Sequence, residues 1–141
     1  MLYLSNYFEN PKDLYYDNLS GIRTKNDMLQ WIKYFLVGVE QTASLAVNSL
    51  SEIIQLKENL ENLIRKNYGR RATTGILLLH ALFKNPLVKD EDVVHICKLS
   101  YKSANDLVKQ MCSDKILNEM TGQSRNRMFV FDIYLSLFDK R

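Results

Sequence analysis

The chain has 141 residues, 19 Lys+Arg against 16 Asp+Glu, a net charge of +3, and 46% hydrophobic residues. That balance excludes a disordered chain, which needs low hydropathy and high charge to stay unfolded. With 5 Gly and 2 Pro, collagen-like, flexible-linker and Pro-rich classes are excluded too, and helices are favoured over a turn-rich, multi-stranded fold. The length fits one ordinary domain or two small ones.

The first residues, Met1-Leu2-Tyr3-Leu4-Ser5-Asn6, have no basic region and no long apolar run before a small-residue cleavage site, so no secretory leader is expected. Asn10-Pro11 is a helix-start signal, because Pro at a first-turn position loses no hydrogen bond. A short helix over Lys12–Ile22 follows, ended at or just after Ser20-Gly21. Asn26 is the expected N-cap of the next helix, with Asp27 in its first turn. From Met28 to Leu63 apolar residues recur at steps of three and four, the period of an amphipathic helix. One long helix, or two with a break near Gly38 or Asn48, would satisfy the pattern. Its polar end, Glu52–Lys66, reads as a solvent-bridging connector.

Asn67-Tyr68-Gly69-Arg70-Arg71 breaks the periodicity and marks the expected domain boundary, giving units 1–67 and 68–141. Ala72–Lys84 is apolar enough for a buried helix, stopped by Asn85-Pro86. Its uncharged stretch, Ala72–Phe83, is shorter than the roughly 18 residues a membrane span requires. Asp90, Glu91 and Asp92 open another helix, Lys98-Leu99 makes a tight turn, and Ser100 caps a helix over Tyr101–Asp114. Leu117–Met120 and Arg125–Phe131, joined through Thr121-Gly122-Gln123-Ser124, read as two strands of a hairpin. Asp132 opens a last helical segment. The expected fold is mainly α: a helical N-terminal segment with a long connector helix, then a winged helix-turn-helix with a small two-stranded hairpin.

Catalytic and metal-binding patterns are not present in the sequence. His80 and His95 lie on separate helices without ligand spacing, and Cys97 and Cys112 do not form zinc pairs. Both cysteines read as reduced core thiols, which fits a cytoplasmic protein. The five glycines are scattered singly, so there is no phosphate-cradling loop. Tyr3, Tyr7, Phe8, Tyr15, Tyr16, Trp31, Tyr34 and Phe35 crowd into 35 residues and read as core rather than as a ligand-stacking surface. Charge is unevenly distributed: residues 1–68 hold 7 basic and 8 acidic side chains (net −1), and residues 69–141 hold 12 and 8 (net +4). In a winged helix the recognition helix would present Tyr101, Lys102, Ser103, Asn105 and Lys109, and the wing Arg125 and Arg127. These are the candidate nucleic-acid or partner contacts, since phosphates need cations and hydroxyls and Asn can read adenine. Asp106 on the same helix surface opposes a nucleic-acid role. The arginines have an alternative, pairing with Glu119 or with another acid of the molecule.

Several ordered motifs carry a family resemblance. Leu2-Tyr3-Leu4-Ser5-Asn6-Tyr7-Phe8, Asp13-Leu14-Tyr15-Tyr16-Asp17-Asn18-Leu19, and Trp31 through Val39 with Thr42-Ala43 resemble the closing helices of Fic family proteins. Gly69-Arg70-Arg71, Leu82-Phe83-Lys84-Asn85-Pro86, Ser100 through Ala104, Leu117, and Thr121-Gly122 with Arg125-Asn126-Arg127 resemble the winged-helix domain that often follows that core. The resemblance implies descent from enzymes that transfer AMP from ATP, with magnesium, to protein hydroxyls. Their signature, a His followed by Pro-Phe, an acid, Gly-Asn-Gly and Arg, is matched nowhere: His80 precedes Ala81-Leu82-Phe83, and His95 precedes Ile96-Cys97-Lys98. No catalytic, cofactor or metal residue is therefore carried over, and the signature is expected upstream of Leu2. The resemblance implies a non-catalytic C-terminal region for docking partners or targets, with self-association or a protein partner at the N-terminal helices and DNA binding as an option. The alternative is a free-standing winged-helix DNA-binding regulator with a helical dimerisation arm.

Overall fold

The structure is a computed structural model, and it describes residues 4–9, 12–25, 27–123 and 126–139. Among them are seven α-helices and one three-stranded antiparallel sheet: α1 (Leu4–Glu9), α2 (Lys12–Lys25), α3 (Met28–Asn67), α4 (Ala72–Lys84), β1 (Leu87–Lys89), α5 (Asp90–Cys97), α6 (Tyr101–Ser113), β2 (Asn118–Glu119), β3 (Met128–Val130) and α7 (Asp132–Asp139). The protein is mainly helical, as its periodicity demands. Two compact units divide between Ser51 and Glu52, inside α3.

The first unit is built from rings. Phe8 of α1 lies against Tyr34, Phe35 and Tyr15, and Trp31 lies edge-on to Tyr15 with Tyr34 beside it. The aromatic crowding is thus internal packing among α1, α2 and α3. Helix α2 runs past the expected stop at Gly21 to Lys25; a single exposed Gly costs a helix only about 1 kcal/mol relative to Ala. The Asn10-Pro11 signal and Asn26 lie outside the described residues. Asp27 is the cap of α3 rather than a first-turn residue, its Oδ1 accepting from the Gln30 N–H at 3.1 Å. Neither Gly38 nor Asn48 breaks α3. Gly38 is required there instead: a Cβ would stand 2.6 Å from Tyr7 Cδ1. Thr42, one turn on and also buried, satisfies its hydroxyl on the Gly38 carbonyl at 2.7 Å.

The second unit owns the last turns of α3. Leu60 and Ile64 are buried with Leu78, Leu79 and Leu82 of α4, Val93 of α5 and Leu107, Val108 and Met111 of α6. The expected solvent-bridging connector is therefore core on one face, because its few apolar residues fall at helical steps and α4 lies against them. This is also why the units divide earlier than the 67/68 boundary read from the chain break at Asn67-Tyr68-Gly69. Gly75 of α4 accommodates that contact, with Ile64 Cγ2 3.0 Å and Tyr68 Cδ2 3.1 Å from the position a Cβ would take.

Helix α5 starts with the Lys89 N–H donating to Asp92 Oδ2 at 2.8 Å. It ends at Lys98, whose left-handed φ of 51° makes the turn into α6. Ser100 caps α6 as expected, accepting from the Ser103 N–H at 3.3 Å. The hairpin forms, but in a sheet of three strands rather than two. β3 pairs with β2 on one side (Asn118 with Val130) and with β1 on the other (Val88 with Phe129). β1 is three residues long with a single buried side chain, Val88, too short for an alternation to be visible in sequence. Phe129 and Phe131 are buried beneath the sheet, and Phe83, Tyr134 and Phe138 extend their ring contacts into α7.

Candidate functional site

Helix α6 has two faces. Ala104, Leu107, Val108 and Met111 point into the core, at i, i+3, i+4 and i+7. Lys102 and Lys109 are exposed, with Asn105 and Asp106 half-buried beside them on the outward face. Between that face, the start of α5 and the hairpin lies a cleft of about 560 Å³ lined by Asp90, Glu91, Tyr101, Lys102, Ala104, Asn105, Asn126 and Arg127. A shallower recess continues it along Lys109, Glu119, Gly122 and Gln123, sharing Asn105 and Arg127.

Arg127 is the hub of this groove. Its Nε donates to Asp90 Oδ2 at 3.2 Å and its Nη2 to Asp90 Oδ1 at 3.0 Å, a two-pronged ion pair. Nη2 also donates to Asn105 Oδ1 at 2.6 Å, and the guanidinium lies 5.2 Å over the Phe129 ring. The side chains of Arg127 and Asp90 are only 17% and 19% exposed. The main chain repeats the link, with the Asp90 N–H donating to the Arg127 carbonyl at 3.3 Å. Such a fork-to-carboxylate contact is both directional and strong.

Five of the seven expected contact residues therefore meet around one groove: Tyr101, Lys102, Asn105, Lys109 and Arg127. Ser103 is on the same helix, but its N–H and hydroxyl both bond the Ser100 hydroxyl at the cap. Arg125 lies outside the described residues. Arg127 does not act as a free wing cation, and its partner is Asp90 rather than Glu119. Asp106 is likewise engaged, by Arg71 Nη2 at 3.3 Å. Asp90 and Glu91 are groove residues that the sequence reading left out; in the sequence they look like ordinary acids complementing a helix dipole. Only the packing of β3 beside α5 brings Asp90 to Arg127.

Away from the groove, His80 Nε2 lies 2.7 Å from Glu61 Oε1, and His95 is exposed on α5. The hydrogen bond from His80 holds the Glu61 carboxyl below its ordinary range, with Lys57 and Arg65 assisting and burial opposing. Burial pushes the Cys97 thiol up to about 11 and raises that of Cys112 as well, which disfavours the reactive thiolate at both. Among the described residues no group of three or more His, Cys, Asp or Glu side chains could hold a metal ion. No helix among them is long and apolar enough to cross a membrane. No protein-family model matches the chain.

Proposed function

We propose that this chain is a non-catalytic C-terminal portion of a Fic-type protein adenylyltransferase, and that residues 52–141 are a winged-helix module that docks a protein partner or target. The element order supports the winged-helix reading: three helices, with a strand after the first, followed by a hairpin. The observation that carries docking over DNA binding is the Arg127–Asp90–Asn105 contact. It removes from the groove the cation and the amide that a DNA reader would present, and leaves Lys102 and Lys109 facing Glu91 and Glu119. A groove of mixed, nearly balanced charge suits a polar protein surface better than a polyanion. The N-terminal helices are the part that would carry a homo-oligomer or further protein contact.

ATP and magnesium have no match in these residues. The His-Pro-Phe signature has no counterpart, and the cleft lining contains neither a histidine nor a glycine-rich turn. Phosphoryl-type transfer needs metal, phosphate cradle and nucleophile-orienting group together, so labelled ATP with magnesium and target proteins should yield no labelled product.

A titration of labelled duplex against salt tests the docking reading. Two phosphate contacts, by Lys102 and Lys109, would give a log–log slope of about −1.8 at roughly −0.9 per contact. Weak, sequence-indifferent binding is expected, with Arg127→Ala leaving that slope unchanged. Tight, sequence-selective binding at physiological salt would instead establish the regulator. For the parent enzyme, the genomic sequence before codon 1 is decisive: an in-frame His-Pro-Phe signature supports it, and an in-frame stop there excludes it.

A further inference from the structure

Helix α3 carries a second apolar surface, on the side turned away from α1 and α2. Trp31, Tyr34, Gly38 and Thr42 form its inward stripe within the first unit, with Gly38 and Thr42 buried. Half a turn round lie Leu29, Ile32, Leu36, Ala43, Val47 and Leu50, one stripe at helical spacing. Five of these six are 45–65% exposed, and Ala43 is half-buried. Together they present roughly 500 Å² of apolar surface, near the top of what a soluble monomer leaves in one patch.

The spacing of this stripe carries information about its occupant. Read forwards, its steps are three, four, seven, four and three, and they are the same read backwards. The centre of that palindrome is the peptide bond between Val39 and Glu40. An isologous pair requires this symmetry, because residue i must meet residue j while j meets i. Run antiparallel, Leu29 stands opposite Leu50 of the partner subunit, Ile32 opposite Val47 of the partner subunit, and Leu36 opposite the small Ala43 of the partner subunit. The pairing covers roughly 1,000 Å² in total, the area at which specific association begins.

We infer that a second copy of this chain occupies the face, through an antiparallel, two-fold α3–α3 contact centred at Val39 and Glu40. The inference rests on the proposed self-association of the N-terminal helices and names its surface and symmetry. It has one built-in cost. Glu40 lies in the middle of the stripe, where the two-fold axis brings it beside Glu40 of the partner subunit, and neighbouring like charges repel.

Sedimentation velocity of the full chain tests this. The expected mass is twice the 16.5-kDa monomer. Leu36→Glu with Val47→Glu should return it to the monomer with an unchanged far-ultraviolet circular dichroism spectrum, since both side chains are exposed in the single chain. Glu40→Leu should tighten the dimer by about tenfold, the equivalent of about 1.4 kcal/mol of relieved repulsion. A mixture of Leu36→Cys and Ala43→Cys chains should cross-link to each other faster than either does to itself. A monomeric wild-type chain would overturn self-association altogether. A dimer that survives the double glutamate variant would leave self-association standing and overturn this surface. Weakening by Glu40→Leu, or preferential Ala43→Cys self-linking, would overturn the antiparallel axis.

Discussion

Gly38 and Arg127 show how single residues decide local structure here. At Gly38 the reason is space. The Tyr7 ring sits where a Cβ would project, and it is held by Phe8 and Tyr34. Alanine would gain about 1 kcal/mol in helix propensity, but overpacking against a fixed ring costs about 1–3 kcal/mol. Gly38→Ala should therefore lose on the order of 1 kcal/mol. Fluorescence of Trp31, the single tryptophan and part of this ring cluster, reads it directly during urea unfolding. At Arg127 the reason is pairing. Arg127→Ala leaves the half-buried Asp90 carboxylate and the Asn105 carbonyl without their donor, which should lower stability by about 1–3 kcal/mol. Arg127→Lys should recover less than half of that loss, because an ammonium cannot span both oxygens in the fork geometry. Urea midpoints of the two variants check both statements.

Elements in the second unit are joined by polar links as well as by the core. The Glu61–His80 contact ties the end of α3 to α4, and its effect on stability depends on acidity. Glu61 titrates lower in the folded protein than its ordinary value of 4.5. The contact therefore stabilises fully above that value, and its contribution is lost as pH falls through the lower, folded value. His80→Gln removes the principal cause of the depression. It should flatten the acid limb of the stability curve while leaving the neutral plateau lowered; urea midpoints measured from pH 7 to pH 3 would show this. An unchanged acid limb would mean the pair holds nothing in solution.

At the scale of the whole molecule, the division inside α3 has a direct test. A fragment of residues 52–141 keeps Leu60 and Ile64 in their core, whereas one of residues 68–141 removes both. Burying two large aliphatic side chains contributes roughly 4 kcal/mol, a large share of the 5–15 kcal/mol typical of a domain. The longer fragment should melt cooperatively with dispersed amide resonances, and the shorter should show broad, non-cooperative loss of helix. A cooperative transition from the shorter fragment would place the boundary at the chain break instead. The asymmetry of charge belongs to this scale too. The net +4 of residues 69–141 is partly consumed within the fold, by Asp90 on Arg127 and Asp106 on Arg71, so it overstates what a polyanion would meet.

Local signals in the sequence sufficed wherever the cause was local. The three-and-four spacing from Met28 to Leu63 determined a long helix, Ser100 determined the start of α6, and Thr121-Gly122 determined the turn of the hairpin. Each depends on residues within a turn or two of one another. Tertiary structure alone decided three other features. Strand β1 exists only because β3 offers it an edge to pair with. Glu52–Lys66 turned from a solvated connector into core because α4 lies along its apolar face. Arg127 turned from a wing cation into an internal strut because Asp90, 37 residues earlier, is folded against it. Periodicity and caps are written in neighbouring residues, while pairing between distant side chains is set by which elements the core brings together.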